Sequence, residues 1–218
     1  MISKLNKRLI KMEENKVYDK REDILDVAEK LFAEQGFEAV SVREISKAAD
    51  INIAMISYYF GSKEKLYEEV ISRKLTPTDM ILDKINAVAT NKEKLFIIVD
   101  IFVARFFDNR QFQNLIFREM ALSKRKEMPE FITLRMHQNF SIISDVIQKG
   151  IKNKEFRKVD VELTVMSIIG LIKTYSTSGS MACKILQTNN EDEVFDVKNR
   201  NRFKKYLKEL LTSHLEIK

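Results

Sequence analysis

The stretch SVREISKAADINIAMISYYFGSKEKLYEE, residues 41–69, is punctuated so closely that it can fold into little besides short helices joined by tight turns. Ser41 followed by Glu44 is a capping box: the serine oxygen takes a backbone N–H of the first turn while the glutamate reaches back to the Ser41 N–H. Val42, Ile45, Ala48 and Ala49 then fall on one face of a helix. Asp50 stands where the chain must turn, and aspartate tolerates left-handed backbone angles better than most residues. Asn52 is placed to cap a second helix from Ile53 to Tyr59. Gly61 breaks that helix, and Ser62 caps another from Lys63 to about Ser72. Helix, tight turn, short helix is the helix-turn-helix arrangement, whose second helix enters a DNA major groove.

On spacing alone, one more helical hairpin in a helical protein reads equally well. The end of the second helix favours DNA, because Ser57, Tyr58, Tyr59 and Lys63 crowd hydroxyls and a cation into seven residues. Such groups clamp phosphates and fix the register of a reading helix. Arg43, Tyr58, Tyr59 and Lys63 are therefore expected as phosphate or positioning groups. Asn52, Ile53, Ala54 and Ser57 are expected at base edges and thymine methyls.

The segment KREDILDVAEKLFAEQGFEAVSVREISKAADINIAMISYYFGSKEKLYEEV resembles the N-terminal domain of the TetR family of one-component transcriptional repressors. The resemblance rests on Leu31, Phe32, Gly36, Phe37, Ser41, Ile45, Ala48, Tyr58, Phe60, Ser62, Lys63, Glu64 and Leu66, and covers about a quarter of the chain. Asp50 departs from the family pattern by replacing the usual glycine of the turn, and Ser57 stands where many members carry a tyrosine. The resemblance implies an all-α homodimer that represses transcription from a palindromic DNA operator and is released by a small-molecule effector.

Composition agrees. With five Gly and two Pro in 218 residues there is little to interrupt helices, and no period-2 alternation is long enough to demand a sheet. No apolar run approaches the ~18 residues of a membrane span, and the first residues lack the apolar core of a signal peptide. One cysteine, Cys183, cannot form an internal disulfide, which fits a reducing cytoplasm. It reads as a small buried hydrophobe, with a redox sensor as the other reading. The net charge of +6 does not mark a DNA face, because residues 1–75 hold 14 Lys/Arg and 14 Asp/Glu.

Three regions are expected: a basic leader over 1–19, a three-helix helix-turn-helix domain over 20–75, and a larger helical ligand-binding and dimerisation domain over 76–218. The leader carries Lys4, Lys7, Arg8, Lys11 and Lys16, which suit either a phosphate-binding arm or a solvated tail. Helix 1 should run from about Lys20 to Gln35, burying Ile24, Ala28, Leu31 and Phe32, with Gly36 ending it. Pro77 marks the boundary near Leu75. Beyond it six helical segments are expected, the last two over 161–186 and 200–215.

The 161–186 segment is apolar almost all round, and Phe203, Tyr206, Leu207, Leu210, Leu211 and Leu215 make a clean stripe on the other. The pair could be monomer core or, as the resemblance implies, a two-fold four-helix interface. The basic run from Arg200 to Lys208 is expected to be merely solvated. Eight of the fourteen phenylalanines lie between Phe96 and Phe140, interleaved with Arg105, Gln113, Asn114, Arg118, His137 and Asn139. Aromatic walls with a few polar groups describe a ligand cavity between helices, and equally a packed core. The resemblance, not the spacing, places a pocket here, with Phe102, Phe106, Phe117, Met120, Met136 and Phe140 as its walls and a hydrophobic or aromatic effector inside. The segment after Pro77 is then expected to carry the effector's signal to the fourth helix.

Catalytic readings find no support: there is no phosphate-binding glycine motif, and two histidines with one cysteine give no usual metal-ligand spacing. No cofactor is expected. The alternative from another class is a dimeric helical protein that binds a ligand or partner without DNA, which Tyr58, Tyr59 and Lys63 speak against and a gel shift would discriminate.

Overall fold

The structure is a computed structural model describing residues 20–75, 78–122 and 127–217; the expected leader 1–19 and the boundary residue Pro77 lie outside them. The chain is all-α, with no strand among the described residues. It divides into two compact units, one of the residues up to Leu75 with Ala121–Phe131, the other of Thr76–Met120 with Ile132–Lys218.

In the first unit α1 covers residues 20–35 and is followed by α2 (Val42–Ala48), α3 (Ile53–Phe60) and α4 (Lys63–Lys74). Gly36, at φ 87°, ends α1 by donating its N–H to the Phe32 carbonyl at 2.8 Å. The core joins Ile24, Leu25, Ala28 and Phe32 of α1 to Ile45, Ile56, Phe60, Leu66, Tyr67 and Val70. Leu31 is only half-buried, because the buried face of α1 is rotated toward Leu25. Phe32, Phe37 and Tyr67 form an aromatic knot with centroids 4.8–5.7 Å apart. At its edge Arg73 on α4 binds Glu22, Asp26 and Glu29 of α1, and Lys74 binds Glu29 at 2.7 Å. Burial pulls the Arg73 pKa down, and the carboxylates of Glu29, Asp26 and Glu22 more than reverse that and raise it.

The second unit holds α5 (Thr78–Asn86), α6 (Asn91–Asp108), α7 (Arg110–Leu122) as far as Met120, α8 (Glu127–Lys152) from Ile132 onward, α9 (Val161–Thr177), α10 (Gly179–Leu186), α11 (Glu191–Val194) and α12 (Val197–Leu215). Helix α6 is central, packing on α5, α9 and α12. It is launched by a capping box in which Thr90 and Glu93 exchange hydrogen bonds. Its residues Leu95, Ile98, Val99, Phe102, Val103, Phe106 and Phe107 share one core with Ile143 and Ile147 of α8, Val165, Ile168 and Ile172 of α9, and Phe203, Leu207, Leu211 and Leu215 of α12.

Two expectations are corrected. The segment 161–186 is two helices, broken at Ser178, whose φ of −104° and ψ of 41° leave the helical region. At Gly179 a Cβ would meet the Glu191 carboxylate, which would have to swing aside. The basic run of α12 is not merely solvated. Lys208 binds Asp100 of α6 at 2.6 Å, and Arg200 binds Asp108, so these cations hold α12 on α6.

Candidate nucleic-acid interface and effector region

The capping box forms as the sequence dictates: the Glu44 N–H donates to Ser41 Oγ at 3.2 Å, and the Ser41 N–H donates to Glu44 Oε2 at 2.6 Å. Those two Ser41 bonds hold the Glu44 pKa below its ordinary value. Helix α2 buries Ile45 and Ser46 and leaves Ala48 exposed, a face rotated from the expected one. It ends in a Schellman turn, with Ile51 N–H on the Ser46 carbonyl at 3.0 Å and Asp50 N–H on the Lys47 carbonyl at 3.3 Å. Asp50 sits at φ 50°, so the aspartate takes the left-handed conformation that the family's glycine usually supplies.

Asn52 Oδ1 accepts the Ala54 N–H at 2.9 Å and starts α3. That helix anchors itself through Ile56 and Phe60, both buried. Ile53, Ala54, Ser57 and Tyr58, at i, i+1, i+4 and i+5, all face solvent, with Tyr59 half-buried beside them. Tyr58 is 81% exposed and packs edge-on against Tyr59, centroids 5.1 Å apart. An aromatic side chain so exposed contributes nothing to the core and is available to a partner. Asn52 and Arg43 are exposed on the same unit, although the Asn52 oxygen is occupied by its cap, leaving its NH2 group for an outside acceptor. Lys63 is half-buried, its Nζ 4.1 Å from the centroid of the Phe37 ring. Gly61, at φ 79° and with open space where a side chain's first carbon would lie, is there for its backbone angle, which turns the chain into the Ser62 cap.

In the second unit Phe102, Phe106 and Met136 are buried, Phe117 and Phe140 half-buried, and Met120 38% exposed. They pair as Phe102 with Phe140 (6.1 Å, edge-on) and Phe106 with Phe117 (6.0 Å, stacked). His137 is exposed, whereas Gln113 and Asn139 are buried, Asn139 accepting from Thr78 Oγ1 at 3.2 Å. The side chains of Arg118, Met128 and Pro129 lie outside those described. Arg105 has a fully buried Nη2 with no hydrogen-bond partner among the described residues. Burial pushes its pKa down to about 10. A lone arginine within a run of phenylalanines was its only sequence signal.

The outer face of α9, α10 and α12 is apolar and exposed: Leu163 and Met166, Met181 and Ile185, Tyr206 and Leu210. Two grooves run along it, of about 390 Å³ beside Tyr175, Met181 and Tyr206, and about 380 Å³ beside Leu163, Leu207 and Leu210. Among the described residues no helix is long and apolar enough to cross a membrane, and no group of three His, Cys, Asp or Glu is arranged to hold a metal.

A helix-turn-helix unit with a bare outer helix, joined to a larger helical unit, defines the class of DNA-binding transcriptional regulators. Residues 24–70 match the model of bacterial regulatory proteins of the tetR family, and residues 88–177 match the tetracyclin repressor-like C-terminal domain. The chain is 28% identical over 156 residues to the probable HTH-type transcriptional regulator YttP of Bacillus subtilis, covering 70% of this chain and 74% of that one. It is 29% identical over 150 residues to the HTH-type transcriptional repressor KstR2 of Mycolicibacterium smegmatis, covering 66% and 71%. Its fold resembles that of the transcriptional regulator FadR of Bacillus subtilis, solved in complex with stearoyl-CoA, at a TM-score of 0.70 and 22% identity over 89% of this chain and 98% of that one. The chain belongs to the TetR family; it is a DNA-binding, ligand-responsive transcriptional regulator and not an enzyme.

Proposed function

We propose that this regulator is a repressor that holds a palindromic operator as a homodimer and leaves it when a hydrophobic effector enters the phenylalanine-rich part of residues 76–218. The observation that carries the DNA half is the outer face of α3, where Ile53, Ala54, Ser57 and Tyr58 stand in solvent while Ile56 and Phe60 hold the helix down. On this reading Asn52, Ile53, Ala54 and Ser57 meet base edges, and Arg43, Tyr58, Tyr59 and Lys63 position the backbone. Two such helices must reach successive major grooves, roughly 34–36 Å apart, which requires two copies of the chain. The exposed apolar face of α9, α10 and α12 is the surface that suits the second copy.

The effector half rests on Phe102, Phe106, Phe117, Met120, Met136 and Phe140, an apolar set whose outer members remain reachable from solvent. An effector releases DNA only if it binds better to a conformation in which the two reading heads are wrongly spaced. A coupling of about 1–3 kcal/mol lowers operator affinity roughly 5–150-fold. A gel shift with the DNA upstream of the protein's own gene is the direct test. We expect a retarded band that Tyr58→Ala weakens at least about tenfold, an effect of about 1.4 kcal/mol, without loss of helix content. Full-strength binding by Tyr58→Ala, or none by the wild type to any upstream fragment, overturns the reading.

A further inference from the structure

Arg105 is half-buried at the edge of the hydrophobic stripe of α6. Ile98 at i−7 and Phe102 at i−3 are both buried. The helical hydrogen bonds run on through Asn109, whose N–H donates to the Arg105 carbonyl and whose carbonyl accepts from Gln113. Asn109 itself departs from helical angles (φ −127°, ψ 39°), so the buried Phe112 belongs to a new helix, α7, beyond Arg105. Arginine is almost never taken into such a stripe unless a carboxylate meets it there. Among the described residues none pairs with it, and each carboxylate of α6 is engaged elsewhere: Glu93 in the Thr90 cap, Asp100 with Lys208, and Asp108 with Arg200. Burial is the sole influence on the Arg105 guanidinium, and with a pKa of about 10 it stays charged at neutral pH. A folded chain that keeps an uncompensated cation among phenylalanines leaves room in its charge balance for an anion from outside.

We propose that Arg105 anchors an acidic head group, so that the effector is an amphipathic acid whose carboxylate or phosphate sits on the guanidinium and whose hydrocarbon lies along the α6 phenylalanines. This rests on the reading of the phenylalanine-rich region as the effector site and names the chemistry that site selects. The guanidinium fork matches both oxyanions, and bidentate pairing in a partly dehydrated site is strong and directional. Phe102 with Phe140 and Phe106 with Phe117 supply paired apolar rings on either side of Arg105 in the sequence. Met120, partly open to solvent, lies on the next helix.

The test titrates the full-length protein by calorimetry with dodecanoate, dodecyl phosphate and dodecanol, each below its aggregation concentration. We expect at least one of the two anions to bind about tenfold or more tightly than the alcohol, a gap of about 1.4 kcal/mol. The anion that wins distinguishes a carboxylic from a phosphoric head group. Arg105→Met should erase the preference and Arg105→Lys retain part of it. Because it removes a buried unpaired charge, Arg105→Met should also melt no lower than the wild type without ligand. Dodecanol binding as tightly as the anions overturns the anchor while leaving the hydrophobic-effector reading intact. Anion binding unchanged in Arg105→Met, a marked fall in its ligand-free melting temperature, or no binding of any of the three probes also overturns it.

Discussion

Neighbouring residues at the end of α3 and the start of α4 do different work, and their surroundings say which. Tyr58 projects into solvent and stabilises nothing internal, whereas Lys63 rests its ammonium on the Phe37 ring, which itself stacks in the aromatic knot with Phe32 and Tyr67. Lys63 therefore couples the DNA-facing edge to the core. Replacing it by alanine should remove a phosphate contact common to all sites, flattening the salt dependence of binding by about one unit of slope. It should also cost about 0.5–1 kcal/mol of stability through the lost ring contact. Ser57, exposed on the reading face, should behave differently: Ser57→Ala alters which operators are preferred and leaves the salt slope alone. Anisotropy titrations over an operator panel at several salt concentrations separate the two, and uniform weakening by both substitutions would refute the division of labour.

For the helices, caps decide where elements begin and how they respond to acid. Ser41 holds Glu44, and Thr90 holds Glu93, below the ordinary carboxylate value of 4.5. A carboxylate with a lowered folded-state pKa contributes its stability fully above the unfolded value and loses it as pH falls through the folded one. Glu44→Gln keeps an acceptor at that position without the titration. Its melting temperature should therefore fall less steeply than the wild type's below about pH 4.5, the ordinary carboxylate value. Ser41→Ala should cost about 1 kcal/mol at neutral pH. Parallel acid limbs for Glu44→Gln and wild type would show that the box does not set the acid response. The interruption at Ser178 belongs to the same scale, since the non-helical angles of that one residue end α9 and let α10 start afresh.

Across the whole molecule, the unanswered apolar face of α9, α10 and α12 is the feature a single chain does not explain. Helix α9 is apolar on two sides: its inner side (Val165, Ile168, Ile172) lies in the core, while Leu163 and Met166 are 61% and 69% exposed. A helix of that composition is satisfied only when both sides are covered. Light scattering on the eluting protein should give about twice the 25.6 kDa chain mass. Met166→Glu should give one chain mass, with helix content unchanged and affinity for the full palindrome much reduced. A monomeric wild type, or a Met166→Glu variant that stays paired, would exclude this face as the interface.

By itself the sequence determined the local structure around the reading helix: the Ser41–Glu44 box, the left-handed Asp50, the Asn52 and Ser62 caps and the turn at Gly61 all stand where the residues placed them. Those features are encoded within four or five residues, the range over which caps and turns act. The all-α class was legible for the same reason. Tertiary structure alone decided what depended on distant partners. Lys63 went to Phe37, 26 residues away, and Arg200 and Lys208 of the expected solvated run reached Asp108 and Asp100 on α6. The same holds for the unpaired Nη2 of Arg105, because whether a buried charge is paired depends on every helix around it and not on its neighbours in the chain.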